Sequence, residues 1–156
     1  MWVWVRRALI AAAAVFVVIQ FVPYGRDHTN PPVIAEPSWD SPETRDLAVA
    51  ACFDCHSNET SWPWYSNVAP MSWLVQRDVE EGRDSMNLSE WPSGEAHESS
   101  ETVLEGSMPP LQYVWTHPAA RLSESEKEAL AAGLAASLGG EGGRGGEGRE
   151  GGESDD

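Results

Sequence analysis

Basic residues are scarce in this chain of 156 residues, which has ten lysines and arginines against 25 aspartates and glutamates and a formal net charge of −15. The last 18 residues contribute −4 and the first 23 contribute +2, which leaves −13 on residues 24–138. With no basic patch to neutralise phosphates, the composition excludes nucleic-acid binding. An acidic surface of this kind either attracts a basic protein partner or serves only solubility.

Cysteine is equally scarce, and the only two lie in the run Cys52-Phe53-Asp54-Cys55-His56. No second C-x-x-C or H-x-x-H pair is present to complete a zinc site, and no βαβ context supports a thioredoxin-like pair. A structural disulfide is a further alternative. The adjacent histidine favours c-type haem, because two thiols can form thioethers with the haem vinyl groups while the imidazole binds the iron. We therefore predict covalent haem c.

Charged residues are absent from residues 8–22, an apolar run interrupted only by Gln20. Arg6 and Arg7 precede this run, which is the pattern of a membrane segment with a cytoplasmic N-terminus. The end of the run has no small-x-small cleavage site. We predict that residues 1–23 are an uncleaved, single-pass anchor in the cell membrane. The rest of the chain would lie on the periplasmic, extracytoplasmic side, where haem of this type is attached.

Apolar side chains are missing from residues 139–156, half of which are glycine. Such a segment has nothing to bury, so it is predicted to be a disordered tail. Residues 24–138 are then left for one small haem-binding domain. A covalent haem would supply much of the apolar core that so short a chain lacks.

Convincing strand alternation is also absent, which predicts a mainly α fold. Ser41 can cap a helix that starts at Pro42 and runs into Cys52, so the motif is expected at the C-terminal end of a helix. Two further helices are predicted, over residues 72–81 with Gly82 as the stop and over residues 98–104 with Gly106 as the stop.

A last helix is predicted after Ser123, which forms a capping box with Glu126. Leu130, Leu134 and Leu138 follow at four-residue spacing and give this helix one narrow apolar stripe. We expect the stripe to pack against the helix that carries the cysteines.

Met108 is the candidate for the sixth iron ligand, in the loop sequence Gly-Ser-Met-Pro-Pro, 52 residues after His56. The two prolines behind it restrict the backbone and would help to hold the thioether toward the iron. A His/Met pair is typical of six-coordinate electron-transfer iron. The alternative is that Met108 packs in the core. The other candidate ligands are His117, His97 and Met71.

Tryptophan is unusually frequent in residues 24–138, and one Trp-Pro-Trp-Tyr run follows the cysteine motif closely. We predict that this cluster walls the porphyrin, although each ring taken singly is as well explained by ordinary core packing. The six residues are Trp39, Trp62, Trp64, Trp73, Trp91 and Trp115.

Several stretches together resemble a bacterial family of c-type haem-binding domains. They are Asn30 to Val33, Cys52 to Trp64, Ala69 to Trp73, Asp78 to Arg83, Asn87 to Trp91, Gly106 to Pro110 and His117 to Ser123. The resemblance covers about residues 30–138 and implies a membrane-tethered module with a cytochrome-c-like helical fold. It also implies that Cys52 and Cys55 are the attachment sites and that His56 is the proximal ligand.

These features predict an anchored, monohaem c-type domain that carries single electrons to or from redox partner proteins, which are expected to be basic. The alternative is a haem-based sensor or small-ligand-binding module with a labile sixth ligand. A peroxidase-like enzyme is disfavoured, because the sequence has a single haem motif and no evident acid–base pair near it. We therefore expect no enzymatic activity.

Overall fold

The computed structural model describes residues 1–92 and 96–139. Within these ranges the α-helices are α1 (Trp2–Ile19), α2 (Pro42–Ala51), α3 (Phe53–His56), α4 (Met71–Ser85), α5 (Ser99–Leu104), α6 (Leu111–Thr116) and α7 (Glu124–Leu138). Three short 3-10 helices span Trp64–Asn67, Ala96–Glu98 and Pro118–Ala120. The described residues form no strand, only an isolated β-bridge between Ala35 and Glu90. The prediction of a mainly α fold is confirmed.

Helix α1 is apolar apart from Arg6 and Arg7, and none of its residues is buried. Its 18 residues have a mean hydropathy of 1.9. At about 1.5 Å per residue the helix is about 27 Å long, close to the roughly 30 Å of a hydrocarbon core. By length and composition α1 is therefore able to cross a membrane.

The predicted start of α2 is confirmed. Ser41 has extended backbone angles, and its hydroxyl accepts a hydrogen bond from the Thr44 backbone N–H at 3.1 Å. Pro42 occupies the first helical position, where its missing N–H costs no hydrogen bond. Because α2 ends at Ala51, the cysteine motif begins at its C-terminal end, as expected.

Helix α7 contributes several side chains to the hydrophobic core. Leu130, Leu134 and Leu138 are all buried, and the capping box of Ser123 and Glu126 is present at the start of the helix. The helix packs against α2, as predicted, and also against α5. Several of the buried apolar residues of these helices join α7 in one core cluster, including Ala48 and Ala51 of α2 and Val103 of α5.

The structure differs from the predicted helices in two places. Gly82 does not stop α4, which continues to Ser85 and buries the glycine. The region between Pro110 and the last helix was not predicted to be regular, yet it contains α6. By contrast, α5 ends as predicted before Gly106, whose φ of +74° suits glycine. The predicted disordered tail lies outside the described residues from residue 140 onward.

Candidate functional site

The cysteine motif consists of Cys52 and the single helical turn α3, Phe53–His56, directly after α2. The backbone N–H groups of Cys55 and His56 both bond to the Cys52 carbonyl, at 3.2 and 2.9 Å. Phe53 is buried, and its ring lies 6.2 Å from that of Trp39. Because Phe53 anchors the turn in the core, both cysteines and the histidine are directed to one side, where they border a common cavity.

The imidazole of His56 is oriented by the backbone. Its Nδ1 lies 3.2 Å from the Met86 carbonyl oxygen, and since a carbonyl only accepts, Nδ1 carries the proton. Nε2 is then left with its lone pair, as an iron ligand requires. Burial lowers the pKa of His56, which also favours the neutral, metal-binding form. A hydrogen bond of 2.8 Å from the Leu88 N–H to the His56 carbonyl holds the backbone in place.

Gly82 lets α4 approach the motif closely. A Cβ atom at this position would lie 2.5 Å from the carbonyl oxygen of Cys55 and 3.0 Å from its Cβ. These separations are too short for any side chain, so only glycine fits. The sequence predicts that Gly82 ends the helix. In the structure this glycine instead allows α4 to pack closely against Cys55.

A polar network holds the chain that follows His56. Arg83 donates from Nε to the Ser57 carbonyl at 2.8 Å and from one Nη to the Thr60 hydroxyl at 3.0 Å. Asn58 accepts from Asn87 Nδ2 at 2.9 Å. These residues come from separate stretches of the resemblance noted above. They share one role, which is to fix the loop beyond the haem motif.

Two cavities of about 110 and 200 Å³ adjoin the motif. Both are bordered by Ala51, Cys52, His56, Ser85 and Met108, and the larger also by Cys55. Together they approach the lower end of the ~300–1,000 Å³ range of small-molecule and cofactor sites. Two thiols, an imidazole with a free Nε2 and a thioether at one cavity are a donor set that fits a haem.

Met108 borders both of the cavities that His56 borders. The N–H groups of Ser107 and Met108 both bond to the Thr102 carbonyl at 3.1 Å, which ties this loop to α5. The Met108 side chain is 42% exposed, so it is not a core residue. The core-packing alternative for this methionine is therefore wrong.

The other candidate ligands lie elsewhere. Met71 and His117 border a separate cavity, which includes Cys55 but neither His56 nor Cys52. The side chain of His97 lies outside the described residues. Among the described candidates, Met108 is thus the one that shares cavities with His56.

Tyr113 is a site residue for which the sequence contains no local signal. It borders the larger of the two cavities next to His56, and its hydroxyl donates to Asp54 Oδ2 at 2.7 Å. Its ring stacks on His117 with the centroids 3.9 Å apart. Burial, and then the hydrogen bond to Asp54, raise the pKa of Tyr113 and keep the phenol protonated. The 59 residues between Asp54 and Tyr113 leave no spacing signal that would have found this pair.

The tryptophans do not form the predicted porphyrin wall, since none of the six borders either cavity next to His56. Trp39 and Trp91 pack against the hydrophobic core, and Trp62 stacks on His28 at 4.6 Å. Trp64 and Trp115 are 80% and 71% exposed. The apolar side chains at the cavities are those of alanine, valine, leucine and methionine together with the ring of Tyr113, and the polar ones include Asp78, Glu81 and Glu98.

The structure also bears on the alternatives to haem. Both cysteines are free, and burial raises the pKa of Cys52 to about 12 and that of Cys55 to about 11. Redox-active C-x-x-C pairs have lowered thiol pKa values, so this environment does not fit a thioredoxin-like pair. Among the described residues, no group of three His, Cys, Asp or Glu side chains is arranged to hold a metal ion.

Comparisons with known proteins give a single family. A search of curated proteins and a search of solved structures found no significant match. The family model of the haem-binding domain matches residues 14–136, which is most of the chain and includes the cysteine motif, α4 and the Met108 loop. On this match and on the donor set at the two cavities, the chain belongs to the haem-binding domain family.

Proposed function

We propose that this chain is a membrane-anchored electron carrier with one covalently attached haem and no enzymatic activity. The observation that carries the proposal is that Cys52, Cys55, His56 and Met108 border one cavity of about 200 Å³. A bound haem supplies a one-electron ferric/ferrous couple. The two thiols would attach the haem through thioethers, and the imidazole of His56 and the thioether of Met108 would serve as ligands of its iron.

The protein's part in electron transfer is to keep the ligands still. The Met86 carbonyl orients His56, Gly82 brings α4 against Cys55, and Thr102 fixes the backbone of the Met108 loop. Ligands that are held in this way need little rearrangement when the iron changes its charge. This argument supports an electron carrier over a sensor, whose sixth ligand has to leave.

The proposed location is the extracytoplasmic face of the cell membrane. It is supported by α1, which is able to span a bilayer, and by Arg6 and Arg7 at its cytoplasmic end. Membrane fractionation should release the protein with detergent but not with high salt. A mature N-terminus near Tyr24 would show instead that the segment is a cleaved signal.

The proposed partner is a basic redox protein. A groove of about 630 Å³ beside the motif is bordered by the carboxylates of Asp46, Asp54 and Glu59, and by Arg45, whose charge is paired with Glu36 at 2.7 Å. With the net charge of the chain, these groups favour a positively charged docking surface. The rate of electron transfer to a cationic redox protein should therefore fall as the ionic strength rises. A rate that is independent of salt would exclude this kind of partner.

Covalent attachment is tested by mass. The protein should be produced in cells that attach haem to cytochromes outside the cytoplasm, and its mass measured under denaturing conditions. We expect the chain plus one haem, and a sharp loss of holoprotein in Cys52→Ala and Cys55→Ala. A bare chain, or a Cys52–Cys55 disulfide in the same cells, would refute the attachment.

The Met108 ligand separates the carrier from the sensor. The oxidised protein should show the weak near-infrared thioether-to-iron band, and Met108→Ala should abolish it. The variant should also bind carbon monoxide in the ferrous state and have a lower reduction potential, because thioether sulfur favours ferrous iron. The matched control is Met71→Ala, which should keep the band. A wild type that already binds carbon monoxide rapidly would favour the sensor.

A further inference from the structure

The separate cavity bordered by Met71 and His117, hereafter the second cavity, has a volume of about 100 Å³. It lies between α4, α6 and the chain that leads into Trp64–Asn67. Its walls are mainly apolar and include Pro63, Met71, Leu74, Val75 and Val79. This space is smaller than the ~150 Å³ engineered cavity that binds a benzene molecule. The second cavity therefore has room for at most one six-membered ring.

Two of the polar side chains at the wall matter here. The carboxylate of Asp78 borders the second cavity and makes no hydrogen bond to the described residues. His117 also borders it, and its Nδ1 lies 3.0 Å from both the Tyr113 carbonyl oxygen and the Thr116 hydroxyl. With Nδ1–H donated to the carbonyl, Nε2 of the neutral ring is an acceptor; it lies 3.8 Å from Asp54 Oδ2, with which it would pair only as a protonated ring. An apolar pocket with a few polar groups is the usual form of a small-molecule site.

The second cavity shares a wall with the larger cavity assigned to the haem. Cys55, Asp78, Gln112 and Tyr113 border both. A molecule in the second cavity would therefore be separated from the haem cavity by the thickness of these side chains alone. The sulfur of Cys55, a proposed point of haem attachment, belongs to this shared wall.

The second cavity also lies near the end of the membrane helix. Gln20, which follows α1 directly, donates to the Ala69 carbonyl at 2.9 Å and accepts from the Ala69 N–H at 3.0 Å. Two residues later α4 begins with Met71, which borders the cavity and is 40% exposed. Trp64, which is 80% exposed, lies between two cavity residues in the chain, and exposed tryptophans are enriched at membrane–water interfaces.

We propose that the second cavity binds the ring of a membrane-dissolved quinone or quinol. An apolar space large enough for at most one ring, two polar side chains able to hydrogen-bond to the ring hydroxyls, a position close to the end of α1 and a wall in common with the larger cavity next to His56 all suit this class of ligand. The inference rests on the proposed function, for which the quinol would be the electron donor. The quinol would give up two electrons and two protons and leave as the quinone. The protons would pass to water, and the electrons would pass one at a time through the haem to the proposed redox partner protein, which would reoxidise the iron between the two transfers.

The binding site is tested by photolabelling of the haem-loaded, full-length protein in phosphatidylcholine nanodiscs. The probe is an azido-benzoquinone with a decyl tail, and the labelled peptides are identified by mass spectrometry. We expect label within residues 63–79 or 112–117, and its loss on competition with unlabelled decyl-benzoquinone. Label confined to α1, or no label in the holoprotein, would overturn the proposal. Equal labelling of these peptides by a photoactivatable phospholipid would assign the cavity to acyl chains instead.

Two variants test the cavity itself. Val75→Trp should fill it and His117→Ala should remove an acceptor without filling it, and each should lower competable labelling at least about fivefold. Leu104→Trp, at an exposed position on α5 away from the cavity, is the matched control and should label normally. The haem mass and visible spectrum of each variant show whether the carrier itself is intact. Unchanged labelling in both cavity variants, with intact haem, would refute the quinone site while leaving the proposed function standing.

Discussion

Replacement of Gly82 with alanine tests whether the site depends on the close approach of α4 to the haem motif. The new Cβ would lie 2.5 Å from the Cys55 carbonyl oxygen and 2.9 Å from its carbonyl carbon. Neither backbone atom can move freely, because the Cys55 N–H is bonded to Cys52 and the neighbouring His56 carbonyl accepts from Leu88. Either the motif or α4 must therefore shift.

Two opposing effects decide the magnitude. Alanine favours a helix over glycine by up to about 1 kcal/mol, which would stabilise α4. Overpacking at a site that cannot relax costs about 1–3 kcal/mol, and here the contact is with rigid backbone. We expect the cost of the clash to exceed the gain in helix propensity, so that the free energy of unfolding falls by about 1–2 kcal/mol. At about 4 °C per kcal/mol for a domain of this size, the Tm should drop by roughly 4–8 °C.

The assay is thermal unfolding of the holoprotein, followed by circular dichroism in both the haem and the peptide absorption regions. The matched control is the pair Asp84→Gly and Asp84→Ala, at an exposed position of the same helix. There the alanine variant should be the more stable of the two, because only helix propensity acts. If Gly82→Ala is as stable as the wild type and attaches haem normally, the reasoning from this contact is wrong.

Two further predictions concern the fold. Leu130→Ala, at a fully buried position of α7, should lower the free energy of unfolding by about 2–5 kcal/mol in denaturant titrations, whereas the exposed Leu104→Ala should change it by less than about 0.5 kcal/mol. The hydrogen bond from Arg45 lowers the pKa of Glu36, so this carboxylate stabilises the fold above its unfolded pKa and stops doing so as the pH falls through its folded pKa. The Tm of Glu36→Gln should thus be below that of the wild type at pH 7 and approach it near pH 3; a difference independent of pH would exclude this ion pair as the cause.

Short stretches of sequence were enough to predict the helix starts and to propose the haem ligands. The caps at Ser41 and Ser123 act within three or four residues, so they could be predicted without knowledge of the packing. The same holds for Cys52, Cys55 and His56, because a motif only five residues long fixes its own geometry. Met108 could be proposed because a methionine before two prolines is an unusual local sequence, and the structure brings it to the cavities of His56.

What depends on distant parts of the chain was decided by the tertiary structure alone. Gly82 carries the same local signal whether it ends a helix or lets one helix touch another, and only the position of Cys55 distinguishes these roles. The hydrophobicity of tryptophan predicts that the side chain is buried, but it does not predict which residues it packs against. The predicted place of the tryptophans around the porphyrin was therefore wrong. Tyr113 meets Asp54 across 59 residues of chain, and the cavity beside them exists only where α4 and α6 are brought together. Local spacing encodes none of these contacts, because each arises from packing between elements that are far apart in the sequence.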